Sequence, residues 1–371
     1  MPFARLAPNL WLGRLLHPVR WLTARGWLRE AEVDAVLARL HPSWRLQRVF
    51  ARVERRQWVA EDMLALTLRP NGNWPGARPG QHLQLYLECD GVRLCRSYSL
   101  TAQHPDGSLE IAIKRQPDGR LSNPLLDRVE VGQVLELGTV AGELRWPAAP
   151  QGVLLLAAGS GLTPVLGLLR HALEQGFSAP VTLLHYVRRH SQRAFVDELD
   201  ALQRRYPNFR VHWGLSGESG DAATLRGRFC AEHLEALPPA AVQQVIACGP
   251  GGFVAQVQHW WQQLAAPGDL QLESFSPAHV PQTLLTTKVQ LRFARSGQHC
   301  TGDNQRSLLQ QAEAAGLRPA HGCRQGICAS CTCRLLSGAV RDLRNGQVQS
   351  EPDQAIRLCV SAPLGDVILD L

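Results

Sequence analysis

The sequence predicts a multi-domain chain: an antiparallel β-barrel, then an α/β unit on a parallel sheet, then a small α+β unit. Three observations carry this. Leucines fall on alternate positions between about residues 44 and 149, and short continuous apolar runs alternate with helical periodicity from 150 to 275. Five of the ten cysteines crowd into the last fifty residues. A chain of 371 residues also exceeds what one ordinary core organises.

In the first of these regions Leu64, Leu66 and Leu68, then Leu83, Leu85 and Leu87, then Leu109, Ile111 and Ile113 keep period two, separated by PNGNWPG, PDG and QPDG. Alternation broken by turn residues predicts antiparallel strands closing into a small barrel. In the second, VLLLAA (153–158) reads as a buried strand before a helix over 165–174, and VTLLHYV (181–187) as a strand before a helix around 193–204. VQQVIACG (242–249) reads as the third strand, and the alternation implies a parallel sheet. Residues 276–287 (SPAHVPQTLLTT) have prolines and no periodicity, as a linker does. From 288 to 371 a strand (VQLRF) and a helix near 305–315 precede the cysteines. Residues 1–43 form a basic, tryptophan-rich extension ahead of the barrel.

Composition narrows the function. The longest apolar run, VLLLAA, is far short of a bilayer span. No amino-terminal apolar core with a small-residue cleavage site is present, so a cytoplasmic location is expected. Net charge is +7, and the only lysines are Lys114 and Lys288. Nucleic-acid binding would rest on that charge alone, so no nucleic-acid partner is expected. Ten cysteines in a chain of this length are not a disulfide framework; clustered ones indicate metal binding or catalysis.

Cys323, Cys328 and Cys331 are spaced C-x4-C-x2-C, and Cys359 follows after 27 further residues. That triplet with a remote fourth cysteine is the ligand pattern of a plant-type [2Fe-2S] cluster. Gly322 and Gly326 allow the loop to wrap the cluster and turn N–H groups toward sulfur. Cys333 would stand roughly 6–7 Å along a strand from Cys331, so it is read as a buried, non-ligating thiol. A zinc site would want two close pairs. Over about 80 residues this unit resembles the plant-type ferredoxin family, which implies a β-grasp-like fold. Its ten basic and seven acidic side chains suit a ferredoxin tethered to its own reductase, whereas free-standing relatives tend to be acidic.

Within the barrel region, RSYS (96–99) offers Arg96 for a phosphate, Tyr98 for a ring face and Ser99 for a ring nitrogen. GRLSNP (119–124) reads as a helix start with Ser122 or Asn123 as N-cap and Pro124 at the first helical position, a site for a diphosphate. A strand then runs into Gly159-x-Gly161-x-Thr163-Pro164, and Cys248-Gly249-Pro250 ends another. The third glycine of the dinucleotide fingerprint is missing.

In this order, RSYS, GxxS, GxGxTP and CGP resemble the ferredoxin–NADP reductase superfamily over roughly residues 45–275. The resemblance implies that Arg96, Tyr98, Ser99 and Ser122, with Lys114 and Gly119, bind a flavin. FAD is favoured because GRLSNP offers the diphosphate site. It implies that Gly159, Gly161, Thr163 and Pro164 hold the nicotinamide dinucleotide, with Cys248, Gly249 and Pro250 beside its ring and Glu273 and Phe275 near the flavin. Ser99, Cys248 and Glu273 are the residues it places at the chemistry. Where the family often has methionine after CGP, this chain has Phe253. Arg188, Arg189 and Arg193 after the second α/β strand favour NADPH over NADH, because a 2′-phosphate needs cations there.

The chemistry implied is hydride transfer from NADPH to flavin, single-electron steps to the cluster, and delivery to an external acceptor. Three-module chains in this order resemble reductase components of oxygenases and of fatty-acyl desaturases. HPSWRLQRVFARV (41–53) resembles, more loosely, the reductases that serve membrane acyl-CoA desaturases. In residues 11–29 Leu12, Leu15, Leu16, Val19 and Leu22 lie near one helical face, with Trp11, Trp21 and Trp27 among arginines. Such a segment either contacts an anionic membrane, at the inner face of the cell membrane, or packs on the flavin domain. The alternatives are the reductase of a soluble aromatic-ring or phenylacetyl-CoA oxygenase and a redox-sensing interaction protein. The electron-transfer components of dihydroorotate dehydrogenase have their fourth cysteine much closer to the third.

Overall fold

The alternate leucines become the lining of a closed barrel. In the computed structural model, which describes residues 16–89, 92–148, 151–218, 225–235, 244–264, 268–275, 285–322, 324, 326, 329–344 and 346–371, six strands make it. They are β1 (Val49–Ala60), β2 (Met63–Pro70), β3 (His82–Cys89), β4 (Val92–Gln103), β5 (Leu109–Lys114) and β6 (Val134–Ala141). Their order around the barrel is β1-β2-β5-β4-β3-β6, every neighbouring pair antiparallel. Leu64, Leu66, Leu68, Leu83, Leu85, Leu109, Ile111 and Ile113 share one core, which Leu125 and Leu126 of the short helix α3 (Ser122–Asp127) join. Each such side chain contributes about 1.5–3 kcal/mol by leaving water, and closure leaves no strand edge to template aggregation.

Ahead of the barrel lie α1 (His17–Ala24) and α2 (Glu30–Leu40). Polar groups tie residues 16–48 together, and Arg20, Ser43 and Arg48 reach beyond them to Asn73, Asn71 and Glu136. Val19 and Leu22 are only half-buried, and Trp11, Leu12 and Leu15 lie outside the described residues. Buried Asp34 accepts the Leu46 N–H at 2.6 Å and the Arg48 guanidinium at 3.0 and 3.2 Å. Arg20 donates to the Leu46 carbonyl at 3.0 Å and to Asn73 Oδ1 at 2.8 Å. Full pairing is what allows a carboxylate to be buried there.

The chain divides into two compact units, Met1–Arg145 with Leu166–Gln175, and Trp146–Val165 with Gly176–Leu371. The second holds a parallel sheet of β7 (Val153–Ala158), β8 (Val181–Val187), β9 (Phe209–Leu215), β10 (Leu225–Arg226), β11 (Gln244–Gly249) and β12 (Asp269–Ser274), in the order β10-β9-β8-β7-β11-β12. Its helices are α5 (Val196–Arg205) and α6 (Gly251–Gln262), while α4 (Leu162–Glu174) starts in this unit and from Leu166 belongs to the first.

Three expectations shift. The third strand in the chain is β9, FRVHWGL, and QVIACG enters on the other side of β7. Exposed Arg210 and half-buried His212 interrupt the continuous apolar run that marks a central parallel strand, and among the described residues β9 has two-residue β10 beyond it. Helix α4 starts at Leu162, with Thr163 and Pro164 in its first turn, where proline costs no hydrogen bond. Helix α5 starts at Val196 instead of near 193, because buried Phe195 holds φ +58° just before it.

The carboxy-terminal region has β13 (Lys288–Phe293), β14 (Gln298–Asp303), α7 (Leu308–Ala314), β15 (Thr332–Ser337), β16 (Val340–Asp342), β17 (Val348–Gln349), β18 (Gln354–Arg357), β19 (Ser361–Pro363) and β20 (Val367–Leu369). A mixed sheet β14-β13-β20-β15-β18 and a small sheet β17-β16-β19 share a core with α7, an α+β arrangement of β-grasp type. Ser307 and Gln310 cap α7 reciprocally, which contributes about 1 kcal/mol. Of the linker, residues 276–284 lie outside the described residues. Thr287 and Leu285 are tied to Asn304, which accepts the Thr287 N–H at 3.0 Å and donates to the Leu285 carbonyl at 3.0 Å. Among the described residues no helix is long and apolar enough to cross a membrane.

Candidate functional site

Parallel strands put their carboxyl ends on one rim, and here the rim gathers most of the residues expected to meet a nicotinamide dinucleotide. Gly159 follows β7, Arg188 follows β8, Gly249 and Pro250 end β11, and Phe275 follows β12. Gly161 is the tightest point. A Cβ there would lie 2.0 Å from the Cys248 carbonyl oxygen and 2.7 Å from the Gly249 nitrogen, so the end of β11 itself requires glycine. Buried Thr163 donates its hydroxyl to the Ser160 carbonyl at 2.9 Å. Fully buried His185 sits 3.0 Å from the Gly159 carbonyl, and since a carbonyl only accepts, Nε2 carries the proton.

Cys248 and Glu273 stand opposite each other in the β11–β12 register, and the Gly249 carbonyl accepts the Phe275 N–H at 3.1 Å. Sequence-distant residues expected at the chemistry are thus neighbours. Cys248 is fully buried, and that burial, reinforced by the Glu273 carboxylate, pushes its thiol well up. It is therefore a neutral thiol at physiological pH, suited to shaping the site and not to nucleophilic work. Phe253 packs inward, 5.7 Å from the Tyr186 ring. Arg188 is exposed, while Arg193 lies with its guanidinium carbon 5.2 Å from the Trp213 ring and one nitrogen against His190.

In the barrel, Arg96, Tyr98 and Ser99 sit on β4 opposite Leu85, Leu83 and His82, with unbroken register. Alternation therefore places Arg96 and Tyr98 on one pleat face and Ser99 on the other, so the tetrapeptide does not present three side chains to one surface. Tyr98 packs against the barrel core, and burial raises its phenol. Lys114 ends β5 with its ammonium 3.4 Å from Asp62. The loop after it differs from the expected cap. Helix α3 begins at Ser122 itself, Leu121 is the cap residue without a side-chain bond, and Pro124 is the third helical residue. Asn123 instead buckles the loop: its amide donates to the Gln116 carbonyl at 3.1 Å, and its backbone N–H donates to the Gly119 carbonyl at 3.1 Å. The side chain binds back across seven residues and so is not available to cap.

Of the four expected cluster ligands, Cys323 and Cys328 lie outside the described residues. Cys331 and Cys359 are buried and drawn together by the Leu358 N–H on the Cys331 carbonyl at 3.1 Å. The Gly326 N–H donates to Cys359 Sγ at 3.1 Å, the bond that favours a thiolate. Gly326 has φ +75°, and a Cβ there would come within 2.9 Å of Val360. Its carbonyl accepts from Arg344 at 3.3 Å and also from Arg357. Cys333 is buried in β15 opposite Ile356, its Sγ 3.6 Å from the Arg334 carbonyl oxygen, and burial raises its thiol.

The chain matches the family models of an oxidoreductase FAD-binding domain over residues 51–146, an oxidoreductase NAD-binding domain over 155–259 and a 2Fe-2S iron-sulfur cluster binding domain over 292–364. An NADPH oxidoreductase of Mycobacterium tuberculosis is 33% identical over 350 residues, covering 91% of this chain and 88% of that protein. The chain belongs to the ferredoxin–NADP reductase superfamily, among members fused to a [2Fe-2S] ferredoxin. A component of the 1,2-phenylacetyl-CoA epoxidase of Escherichia coli is 28% identical over 318 residues, covering 79% of this chain and 88% of that component. The solved phthalate dioxygenase reductase shares the fold, with a TM-score of 0.60 at 24% identity over 87% of this chain and 97% of that one.

The reductase is an NAD(P)H-dependent electron-transfer enzyme that uses FAD and a [2Fe-2S] cluster. The described residues fit these groups: two buried cysteines, one already receiving an N–H bond on sulfur, and a rim of strand ends built round glycine. When bound, FAD accepts a hydride's two electrons and releases them singly, as a one-electron cluster requires. The protein's own work is to orient and to exclude water. Sequence reasoning missed His185, Arg344 and Arg357, and it gave Asn123 a capping role in place of the loop bond that it makes. Only for Arg357, two residues before Cys359, was any local pointer present.

Proposed function

We propose that the reductase passes electrons from NADPH to an iron oxygenase, and specifically to a membrane fatty acyl-CoA desaturase, while resting on the inner face of the cell membrane. The observation that carries this reading is an exposed aromatic patch. Trp21 is 45%, Trp27 70% and Leu28 40% exposed, the two indole rings lie 5.9 Å apart, and the Arg25 guanidinium stacks 3.9 Å from Trp21. Residues 16–29 contain no acid. Exposed tryptophans with Arg25 stacked on one of them suit the headgroup region of an anionic bilayer. NADPH is favoured by Arg193, whose buried Nε has no hydrogen-bond partner among the described residues. The test is NADPH-driven desaturation in membranes depleted of endogenous reductase, with the full chain and with its Trp21→Ser/Trp27→Ser/Leu28→Ser variant. Restoration by the full chain, and a several-fold loss in the variant at unchanged cytochrome c reduction, supports both parts. Brisk cytochrome c reduction without desaturation points instead to a soluble oxygenase, the direction in which the likeness to the E. coli epoxidase component leads.

A further inference from the structure

Two guanidinium groups converge on one buried backbone carbonyl of the cluster loop. Arg344 comes from the turn after β16 and Arg357 from the end of β18, and both donate to Gly326, whose own N–H donates to Cys359 Sγ. Asp342 is the carboxylate of this group, held by Arg344 Nη2 at 2.6 Å and Nε at 3.0 Å. Burial works against its ionisation, but the bonds from Arg344 and the added field of Arg357 outweigh it, so Asp342 stays charged. Among the described residues these two cations face one carboxylate, which leaves one net positive charge one peptide unit away from Cys359 Sγ.

Reduction adds an electron to the cluster, and nearby positive charge stabilises the more negative state most where water is excluded. We propose that Arg357, acting with Arg344 through the Gly326 peptide, raises the reduction potential of the [2Fe-2S] cluster and so sets how readily it draws electrons from the flavin. Arg357 is a positioning residue with an electrostatic effect: its bond to the Gly326 carbonyl holds the residue whose N–H meets Cys359, and its charge biases the redox equilibrium. The inference rests on Cys331 and Cys359 being cluster ligands.

The experiment is a redox titration of the full holoprotein, followed by cluster absorbance and electron paramagnetic resonance, with iron and sulfide measured for each variant. Arg357→Gln should lower the reduced-to-oxidised ratio several-fold at a fixed poise, tenfold being about 59 mV for one electron. Arg357→Lys, which keeps the charge, should stay within about twofold of the parent, and Asp342→Asn should shift the ratio upward. No shift in Arg357→Gln, or an equal fall in Arg357→Lys, overturns the proposal. If Arg357→Gln fails to assemble a cluster, Asp342→Asn decides: a rise supports the charge balance and anything else rejects it. Iron content of Cys359→Ser separately tests the ligand assignment, so the two failures are told apart.

Discussion

Gly161 and Cys248 meet back to back, with room for only a hydrogen between the Gly161 Cα and the Cys248 carbonyl: a Cβ would lie 2.0 Å from that oxygen. The turn after β7 is thereby seated on the end of β11, and the rim expected to meet a dinucleotide is built from both.

Replacing this glycine tests the seating. Gly161→Ala would push the ends of β7 and β11 apart at about 1–3 kcal/mol of overpacking. NADPH-dependent flavin reduction, read by stopped-flow absorbance, should slow at least tenfold with FAD and iron content unchanged. A rate within twofold of the parent would show that the close approach does not shape the site.

The expected division of the cysteines is tested by two substitutions. Cys359→Ser should lose most of the iron and the visible cluster absorbance, whereas Cys333→Ser should retain both and cost only stability. Cluster loss in Cys333→Ser would reverse the assignment. The readout is iron and sulfide per chain.

Packing in the first unit has a test of its own. Arg170 of α4 donates to Glu110 at 2.7 Å and to the Thr101 carbonyl at 2.9 Å, and the Thr101 hydroxyl donates to Glu110 at 2.6 Å. Both charged side chains are largely buried. Arg170→Met alone strands a carboxylate and should cost about 3–5 kcal/mol, while Arg170→Met/Glu110→Leu should cost clearly less. Urea unfolding of the FAD-loaded protein, followed by flavin release, distinguishes them.

Asp370 gives a pH dependence of known sign. Bonds from Arg295 and Arg334 hold its carboxyl down to about 2. A lowered folded pKa contributes stability fully present above the unfolded value of about 4 and lost as pH falls through the folded one. Asp370→Asn should therefore lower the unfolding midpoint of the cluster region at pH 7, and the gap should close between about pH 4 and 2. A gap that persists at pH 2 would mean that the charge is not its source.

Much of the fold was legible because its physics is local. Period two in Leu64–Leu68 and Leu109–Ile113 reports a pleat with one face in a core, and VLLLAA reports a strand covered on both faces. β9 was not legible, since Arg210 and His212 reflect how far its neighbours cover it, which no window of sequence contains. The helix at Ser122 was misread because Asn123 can cap a helix or buckle a loop, and the choice depends on whether Gln116 comes within reach. In the extension a leucine face was expected, whereas it is buried Asp34, reaching Leu46 and Arg48, that ties residues 34–48 together, a meeting that no sequence period announces.

Residue order pointed to the chemistry: the plant-type cysteine spacing indicated a [2Fe-2S] cluster, and RSYS, GxxS, GxGxTP and CGP in that order carried the family resemblance that implied FAD and a nicotinamide dinucleotide. Folding decided which of these residues share a surface. It set Cys248 opposite Glu273, turned Ser99 away from Arg96 and Tyr98, and brought Arg344 and Arg357 onto Gly326. Strand register and crossover geometry govern those meetings, and both are properties of the closed chain.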